Sequence, residues 1–389
     1  MTYVLGVKED KLKEIDGYIT AKEIKQQPKL WRETFDIIKE NKEKLEEFLN
    51  RAKKDKVKVI FTGAGSSSFV GDSVLAYLKR ELSLNVESIA TTDIVSNPEN
   101  YLDKETPTLL ISCARSGNSP ESKATVELAE KMVDNLYQIF LTCNPNGTLA
   151  KKASGCDRKL LLLMPEDSND QGFAMTGSFS SMVLASILLF KLDNLDSLES
   201  NIYDIANVGE KILTEKIDLI KDLTSLDYNR AIFLGSSSIK GMAKEAALKT
   251  LELTRGKVIT QYDSSLGFRH GPKSIINDKT LVFSFLSNDA YTRKYEIDLL
   301  KEMSYEDGDK KIVGITYYED ESVKKLVDYY ISIDDNKKED IFSLFSYLLI
   351  AQMYAFNRSV ILGNTPDNPS PDGTVNRVVK GVEIYPYKG

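Results

Sequence analysis

The sequence predicts an α/β fold with two doubly wound domains, each a three-layer arrangement in which helices cover both faces of a parallel sheet. Short apolar runs end in turns rich in glycine and serine, and a helical pattern follows each turn. This alternation is typical of parallel strands joined by helices. The runs are apolar almost without interruption, as expected for strands buried on both faces. A strand followed by Gly-Ser-Ser-Ser occurs twice, at Gly65 and Gly235, which indicates a duplicated domain.

The elements follow in order along the chain. Residues 8–54 are rich in Lys and Glu with apolar residues at helical spacing, which predicts an N-terminal helical segment at about 1–50. The predicted strands are Val57–Thr62, Thr108–Ser112, Gln138–Thr142, Ala231–Leu234, Leu281–Leu286 and Val313–Tyr317. Later helices are predicted at Met242–Thr254 and Phe342–Phe356. We therefore place the two domains at residues 51–205 and 206–363, followed by an extended tail at 364–389.

Composition narrows the class of function. The 389 residues include 51 basic and 58 acidic side chains, a net charge of −7 with histidine neutral. A mildly acidic chain without a basic block argues against nucleic acid or an anionic membrane as a partner. Three cysteines without a CxxC pair and a single histidine argue against a zinc site of the Cys/His type. The odd number of cysteines is typical of reduced thiols in the cytoplasm.

The sequence also lacks the signals of secretion and of membrane insertion. The N-terminal residues contain no apolar stretch of the kind found in signal peptides. The longest apolar stretches, Met182–Phe190 and Phe342–Phe356, are shorter than the roughly 20 residues of a spanning helix. We therefore expect these stretches to form buried helices and the protein to be cytoplasmic.

Two turns are candidate phosphate sites, Gly63-Ala64-Gly65-Ser66-Ser67 and Arg115-Ser116-Gly117-Asn118-Ser119. A strand-to-helix turn presents unpaired N–H groups and the positive end of the helix dipole, which suits a phosphate. In the second turn, Ser119 is expected to cap the helix and Pro120 to be its first residue. Neither turn has the spacing of a dinucleotide or Walker A motif, and ordinary β–α turns are the alternative.

Three further residues are candidates for other chemistry. His270 is the only histidine, lies on a predicted loop, and carries the side chain best suited to proton transfer near neutral pH. A surface histidine is the alternative. Glu252 lies opposite an apolar stripe on its predicted helix, together with Glu245 and Lys249, so periodicity predicts a solvated carboxylate. Lys380 is by default a solvated amine.

Taken in order, the motifs resemble those of tandem SIS (sugar isomerase) domain proteins, which include the isomerase half of glucosamine-6-phosphate synthase. The motifs are Gly65-Ser66-Ser67, Arg115–Glu121, Leu248–Glu252, Arg269-His270-Gly271-Pro272 and Lys380. Within that superfamily, Asp170–Thr176 and the ending Asn376–Pro386 resemble the galactosamine-6-phosphate deaminases, also labelled tagatose-6-phosphate ketose/aldose isomerases. The resemblance covers about residues 50–389.

The resemblance implies roles for the candidate residues. The substrate-binding residues would be Ser66 and Ser67 for sugar hydroxyls, with Arg115, Ser116, Asn118 and Ser119 in the phosphate turn. Glu252 would move a proton between C1 and C2, and His270 would assist ring opening from a neighbouring subunit. Lys380 would approach the open-chain carbonyl end from the tail. Ala114 stands where the family often has a hydroxyl residue, so one phosphate donor is expected to come from elsewhere.

The implied activity is a deaminating isomerase that converts D-galactosamine 6-phosphate to D-tagatose 6-phosphate and ammonia. It would need no cofactor or metal and would act as a homodimer or larger homo-oligomer with shared active sites. An isomerase that uses the same residues without losing nitrogen is one alternative. A regulatory SIS protein that binds a sugar phosphate is another, although such regulators usually join one SIS domain to a DNA-binding helix-turn-helix. The preference for the galacto over the gluco configuration rests on the resemblance alone.

Overall fold

A computed structural model describes residues 3–81, 85–379 and 381–388 of the chain. The chain divides into two compact units, each built around its own five-stranded parallel sheet. The first-sheet unit consists of Lys29–Gln171, Met175–Tyr203 and Asp372–Gly389, and the second-sheet unit consists of Met1–Pro28, Gly172–Ala174 and Asp204–Pro371. The predicted α/β class with two parallel sheets is confirmed. The predicted domain limits stay a prediction.

The chain starts with an antiparallel ribbon and four helices. These elements are β1 (Tyr3–Val4), β2 (Val7–Lys8), α1 (Glu9–Glu14), α2 (Tyr18–Lys25), α3 (Gln27–Glu40) and α4 (Lys42–Lys54). The first turn of α2 is tied to a distant part of the second-sheet unit. The Asp367 carboxylate accepts hydrogen bonds from the backbone amides of Ile19 at 3.0 Å and Thr20 at 2.7 Å. A carboxylate at this position also complements the positive end of the helix dipole.

The first sheet has the order β4-β3-β5-β6-β7 with all neighbours parallel. Its strands are β3 (Lys58–Thr62), β4 (Val86–Ser88), β5 (Thr108–Ala114), β6 (Leu136–Thr142) and β7 (Lys159–Leu163). Its helices are α5 (Ser66–Glu81), α6 (Thr91–Ser96), α7 (Pro120–Met132), α8 (Thr148–Lys152) and α9 (Gly177–Leu188), with short 3₁₀ helices at Pro98–Asn100, Glu166–Ser168 and Leu192–Asn194. Helices cover both faces. Ile60 of β3 packs with Ala129 of α7, while Tyr137 of β6 meets Phe48 of α4.

The chain continues through α10 (Leu195–Glu215) and α11 (Ile217–Ser225) into the second sheet. Its strands are β8 (Arg230–Leu234), β9 (Ile259–Asp263), β10 (Thr280–Phe285), β11 (Lys311–Thr316) and β12 (Tyr329–Ser332). The helices are α12 (Ser238–Leu253), α13 (Ser265–Phe268), α14 (Ala290–Ser304), α15 (Glu321–Lys324) and α16 (Asp340–Ile361), with a 3₁₀ helix at Pro272–Ile275. The order β12-β11-β10-β8-β9 repeats that of the first sheet, because in both the first strand lies between the second and third. Val282 packs against Leu300 of α14 on one face, and Phe283 packs against Tyr354 of α16 on the other, with ring centroids 4.6 Å apart.

The six predicted strands are confirmed as β3, β5, β6, β8, β10 and β11. Within the two five-stranded sheets, the four strands that the sequence analysis missed, β4, β7, β9 and β12, are the edge strands. The short ribbon of β1 and β2 was missed as well, because that segment was predicted to be helical. The apolar stretches expected to be buried helices form α9 and α16, whose residues are almost entirely buried. Within the described ranges no single helix is long and apolar enough to cross a membrane, and one bent pair, Gly177–Leu188 with Leu192–Glu215, meets the criteria of length and composition only in combination.

Candidate functional site

The strand order places the turns after β3 and β5 side by side at the carboxyl edge of the first sheet. The two helices that follow these turns lie on opposite faces. Gly71 of α5 lies so close to Phe61 that a Cβ there would be 2.7 Å from the Phe61 Cβ, whereas the neighbouring Ile60 packs against α7. Ligands of doubly wound sheets bind in the crevice at such a reversal of strand order. Both predicted phosphate turns therefore line the first-sheet switch point.

The second turn begins α7 as the sequence predicted. Ser119 is the N-cap, its hydroxyl oxygen accepts from the Ser122 amide at 3.3 Å, and Pro120 is the first helical residue. Gly117 has a φ of 64°, a conformation that favours glycine. Among the described residues, the backbone amides of Gly117 and Ser119 have no hydrogen-bond acceptor. These two amides are available to an anion in the crevice.

Arg115 contacts the C-terminal tail. The residue is 7% exposed, and its guanidinium donates from Nη2 to the Arg377 carbonyl at 2.9 Å. The Arg377 guanidinium in turn donates to the Asp170 carbonyl. Farther along the tail, Lys131 Nζ on α7 donates to the Tyr387 carbonyl at 2.9 Å. The tail is therefore attached to the first-sheet unit at the phosphate turn and again beside α7.

Two members of the predicted phosphate set shape the turn. The exposed Asn118 accepts through Oδ1 from the Thr148 amide at 3.0 Å and the Thr148 hydroxyl at 3.1 Å, at the start of α8. The Ser116 carbonyl accepts from Asn144 Nδ2 at 3.0 Å, and the Ser116 hydroxyl accepts from the Asn118 amide at 3.3 Å. These bonds fix the turn against the loop that follows β6. A direct role for either residue in binding substrate stays a prediction.

The first turn passes very close to the helix it begins. A Cβ on Gly63 would lie 2.5 Å from the backbone of Ser67, so only glycine fits at this position. Ser66 and Ser67 form the first turn of α5 and are 5% and 6% exposed. The Ser67 hydroxyl donates to the Met175 sulfur at 3.6 Å. Both predicted serines therefore lie at the crevice, nearly closed off from bulk solvent.

Two hydroxyl groups in the same region were missed from the sequence. Thr62 and Ser112 are the paired residues near the carboxyl ends of β3 and β5, and both side chains are buried. Within the described part of the chain, neither hydroxyl has a hydrogen-bond partner. Buried polar groups of this kind are usually satisfied by water or ligand. The signal in the sequence was a hydroxyl residue near the end of two neighbouring apolar strands.

The Asp170 motif has a structural role in the first-sheet unit. The buried Asp170 carboxylate accepts from the backbone amides of Thr176 at 2.7 Å and Ser178 at 3.0 Å, and from the Ser178 hydroxyl at 2.5 Å. These bonds satisfy groups at the start of the buried helix α9. The carboxylate therefore caps α9 from a loop and fixes the chain that leads to Met175.

On α12 the structure corrects the predicted solvent-facing side. Glu245 and Lys249 are 0% and 1% exposed, whereas Leu251 of the predicted apolar stripe is 41% exposed. The reason is that α12 packs against both β9 and α16, so the side that periodicity assigned to solvent is covered. Lys249 Nζ lies 2.5 Å from Glu252 Oε2 and 3.5 Å from Glu245 Oε1, and the Glu252 side chain is 23% exposed. Glu252 is therefore a partly open carboxylate paired with a buried lysine.

The other two catalytic candidates differ from Glu252. His270 follows α13 on an exposed loop, and the next residue, Gly271, has a φ of 112°. In the portion of the molecule that is described, the imidazole has no hydrogen-bond partner. Lys380 lies outside the described residues. The roles assigned to His270 and Lys380 stay predictions.

Two of the three cysteines, Cys113 and Cys143, are not placed for nucleophilic chemistry. All three are free, and Cys113 and Cys143 are buried. Burial raises the pKa of the Cys143 thiol to about 12 and raises the pKa of the Cys113 thiol further. The third, Cys156, is exposed. No cluster of three or more His, Cys, Asp or Glu side chains suited to a metal ion occurs among residues 3–81, 85–379 and 381–388.

Comparison with known proteins agrees with this architecture. The SIS domain family matches residues 53–192. D-galactosamine-6-phosphate deaminase AgaS of Escherichia coli is 39% identical over 374 residues, which are 96% of this chain and 97% of the relative. The AgaS deaminase of Shewanella sp. (strain ANA-3) is 39% identical over 97% of this chain and 94% of its own.

Solved structures give the same result. The crystal structure of tagatose-6-phosphate ketose/aldose isomerase from Escherichia coli is 36% identical, with a TM-score of 0.89 over 96% of this chain and 98% of that one. A crystal structure from Clostridium novyi NT is 54% identical, with a TM-score of 0.98 over the full length of both chains. The chain therefore belongs to the AgaS family of SIS-domain proteins.

Proposed function

We propose that the protein is a deaminating isomerase that converts D-galactosamine 6-phosphate and water to D-tagatose 6-phosphate and ammonia. The observation that carries this proposal is the Glu252 carboxylate, which is partly open and lies 2.5 Å from the buried Lys249 ammonium. A positioned carboxylate can remove a proton from carbon and return it, which is the central step of an aldose–ketose conversion. The names of the full-length relatives support an amino sugar phosphate as the substrate.

The reaction balances without a cofactor. After ring opening, Glu252 takes the C2 proton of the open-chain aldehyde, and the electron pair of that C–H bond forms the double bond of an enolamine. The C1 carbonyl oxygen takes a proton from solvent as that double bond forms. Glu252 then returns its proton to C1 while the nitrogen releases one to solvent, which leaves a hydroxymethyl group at C1 and an imine at C2. Water adds to the imine, and ammonia leaves as the C2 ketone forms. General acid–base steps of this kind contribute about 10²–10⁴-fold each.

The phosphate turn holds the other end of the substrate in this proposal. The free amides of Gly117 and Ser119 and the start of α7 provide donors and a positive dipole end for the phosphate. The Ser119 hydroxyl, which donates to Ser122 Oγ at 2.7 Å, would turn from Ser122 to the phosphate. These amides supply the donor that Ala114 does not. Ser66 and Ser67 would contact sugar hydroxyls. Anchoring one end turns a flexible open chain into a positioned reactant.

His270 and Lys380 have the remaining roles in the proposal. Lys380 would approach the open-chain carbonyl end of the substrate. His270 would transfer a proton during ring opening, and its exposed position with no partner in the described chain suits a contact with a second copy. We therefore propose a cytoplasmic homodimer with shared active sites, the commonest closed assembly. Full activity of a species that analytical ultracentrifugation shows to be a monomer would contradict this assembly.

The second candidate is isomerisation without loss of nitrogen. The name of the Escherichia coli structure, a tagatose-6-phosphate ketose/aldose isomerase, favours it. Incubation with galactosamine 6-phosphate and an assay for ammonia separates the two candidates. Ammonia release supports deamination, whereas turnover of tagatose 6-phosphate without ammonia from galactosamine 6-phosphate contradicts it.

The variant Glu252→Gln tests whether the protein is an enzyme or a sugar-phosphate sensor. We expect it to lose turnover by a factor of at least about 10², the lower end of the range for general base catalysis, while it still binds sugar phosphate. Glu81→Gln, which removes a partly exposed carboxylate at the end of α5 that lies 2.5 Å from Lys191 Nζ, is the matched control and should keep normal turnover. Unchanged turnover of Glu252→Gln would exclude Glu252 as the base.

A further inference from the structure

The second sheet repeats the switch point of the first. In both sheets the third strand lies next to the first, and a turn leads from its carboxyl end into a helix. In the first sheet this turn is Arg115–Ser119 before α7, and in the second it is Ser287–Asp289 before α14. By the same geometry, the second turn should also offer its amides to an anion. The duplication thus predicts two anion crevices in each chain.

The crevice at the second sheet is already filled by side chains of the same unit. The Ser287 amide donates to Glu296 Oε2 at 2.7 Å, and the Asn288 amide donates to Asp340 Oδ1 at 2.6 Å. The Ser287 hydroxyl donates to the other oxygen of Asp340 at 2.5 Å. Carboxyl groups thus accept from the donors that a phosphate would use.

The N-cap of α14 also differs from that of α7 in a way that disfavours an anion. The N-cap of α14 is Asp289, whose carboxylate accepts from the amides of Tyr291 at 3.1 Å and Thr292 at 2.8 Å. The corresponding cap of α7 is the neutral Ser119. An aspartate at the positive end of the helix dipole would repel an incoming phosphate. The second turn is therefore closed to anions by charge as well as by hydrogen bonding.

The filling groups are buried and fixed. Glu296 is 1% exposed, and burial raises the pKa of its carboxyl group to about 7, against the hydrogen bonds from Ser236 and the Ser287 amide. Arg293 is 5% exposed and donates to the Ser287 carbonyl at 2.8 Å and to Asp320 at 2.8 Å. Its guanidinium holds the turn from the other side. A ligand that entered this crevice from solvent would have to break the contacts of Glu296 and Arg293 with the turn.

We infer that the switch-point crevice of the second-sheet unit is an anion site occupied by the chain's own carboxyl groups, those of Glu296 and Asp340. It follows that each chain binds a single sugar phosphate, at the first sheet, a consequence that rests on the proposed function. The duplicated domain has kept the geometry of two sites and closed one of them.

Rescue by acetate tests the occupied crevice. Glu296→Ala removes the carboxyl group and leaves the Ser287 amide without its acceptor. We expect acetate, compared with chloride at equal ionic strength, to raise the Tm of this variant by roughly 2–4 °C. Met303→Ala, which opens a buried space on the same helix without freeing an amide, should not respond to acetate, nor should the wild type. An equal response of all three proteins would overturn the inference.

The number of phosphate ions bound by the wild-type protein tests the closed second crevice independently, and it does so even if Glu296→Ala does not fold. Equilibrium dialysis with inorganic phosphate should give one phosphate per chain, weakened at least tenfold by Ser119→Ala. Two phosphates per chain would overturn the closed crevice. No bound phosphate would count against the phosphate turn, and hence the proposed function, while agreeing with a closed second crevice.

Discussion

The buried Glu296 carboxyl group makes the stability of the protein depend on pH, and Glu296→Gln should remove that dependence. The folded group keeps its proton up to a pKa of about 7, because burial disfavours the carboxylate, whereas its ordinary pKa is 4.5. The folded state therefore binds more protons than the unfolded state between these values. The free energy of unfolding therefore falls as the pH rises through that interval, and the loss due to this group is complete above about pH 7. At 1.36 kcal/mol for each tenfold change, the penalty amounts to about 3 kcal/mol.

Urea unfolding followed by circular dichroism checks this value. Glutamine keeps the size of the side chain and cannot ionise, so the variant avoids the penalty. Between about pH 4.5 and pH 8 the free energy of unfolding of Glu296→Gln, relative to the wild type, should rise by about 3 kcal/mol. Asp340 remains in both proteins and cancels in the comparison. A relative change below about 1 kcal/mol would refute the reasoning, since it would mean that the folded carboxyl group titrates normally.

Three other substitutions have defined outcomes. Ser119→Ala should cost about 1 kcal/mol of stability through the lost cap of α7 and raise the KM for sugar phosphate, as thermal unfolding and steady-state kinetics can measure. Lys249→Met removes a buried cation that lies 3.5 Å from the buried Glu245 carboxylate, so unfolding by urea should show a loss of about 3 kcal/mol and kinetics a lower kcat. Asp170→Ala removes the acceptor for the start of α9 and should lower the unfolding free energy by about 3 kcal/mol or more, whereas a loss below about 1 kcal/mol would contradict its role as the cap.

The interior of each sheet could be predicted from the sequence, but its edges could not. The interior strands are nearly continuous apolar runs, because helices cover both faces, and the sequence analysis found all six. The edge strands β9 and β12 are only half-buried, and β4 has three residues, so neither pattern nor length separated them from loops. At edges, pairing with a neighbour decides the strand, and pairing is not visible in a local pattern.

The candidate site was also predicted in part: features set by neighbouring residues were found, and features set by distant parts of the chain were not. The cap formed by Ser119 and Pro120 followed from local chemistry and is confirmed. The side of α12 that carries Lys249 was wrongly assigned to solvent, because its cover comes from α16, about a hundred residues later in the chain. The attachment of the tail to Arg115 through Arg377 could not be read from spacing at all, since the two residues are 262 positions apart.

The bond between Asp367 and the start of α2 has a consequence for biosynthesis. Residues 19 and 20 leave the ribosome early, yet their acceptor is translated 347 residues after Thr20. At the roughly 5–20 residues per second of translation, the N-terminal helix must wait on the order of tens of seconds for its partner. During that interval the first sheet can assemble from its own contiguous strands, while the second-sheet unit closes only when synthesis is nearly finished. Deleting residues 1–20, which removes both donating amides, should therefore impair the second-sheet unit more than the first-sheet unit.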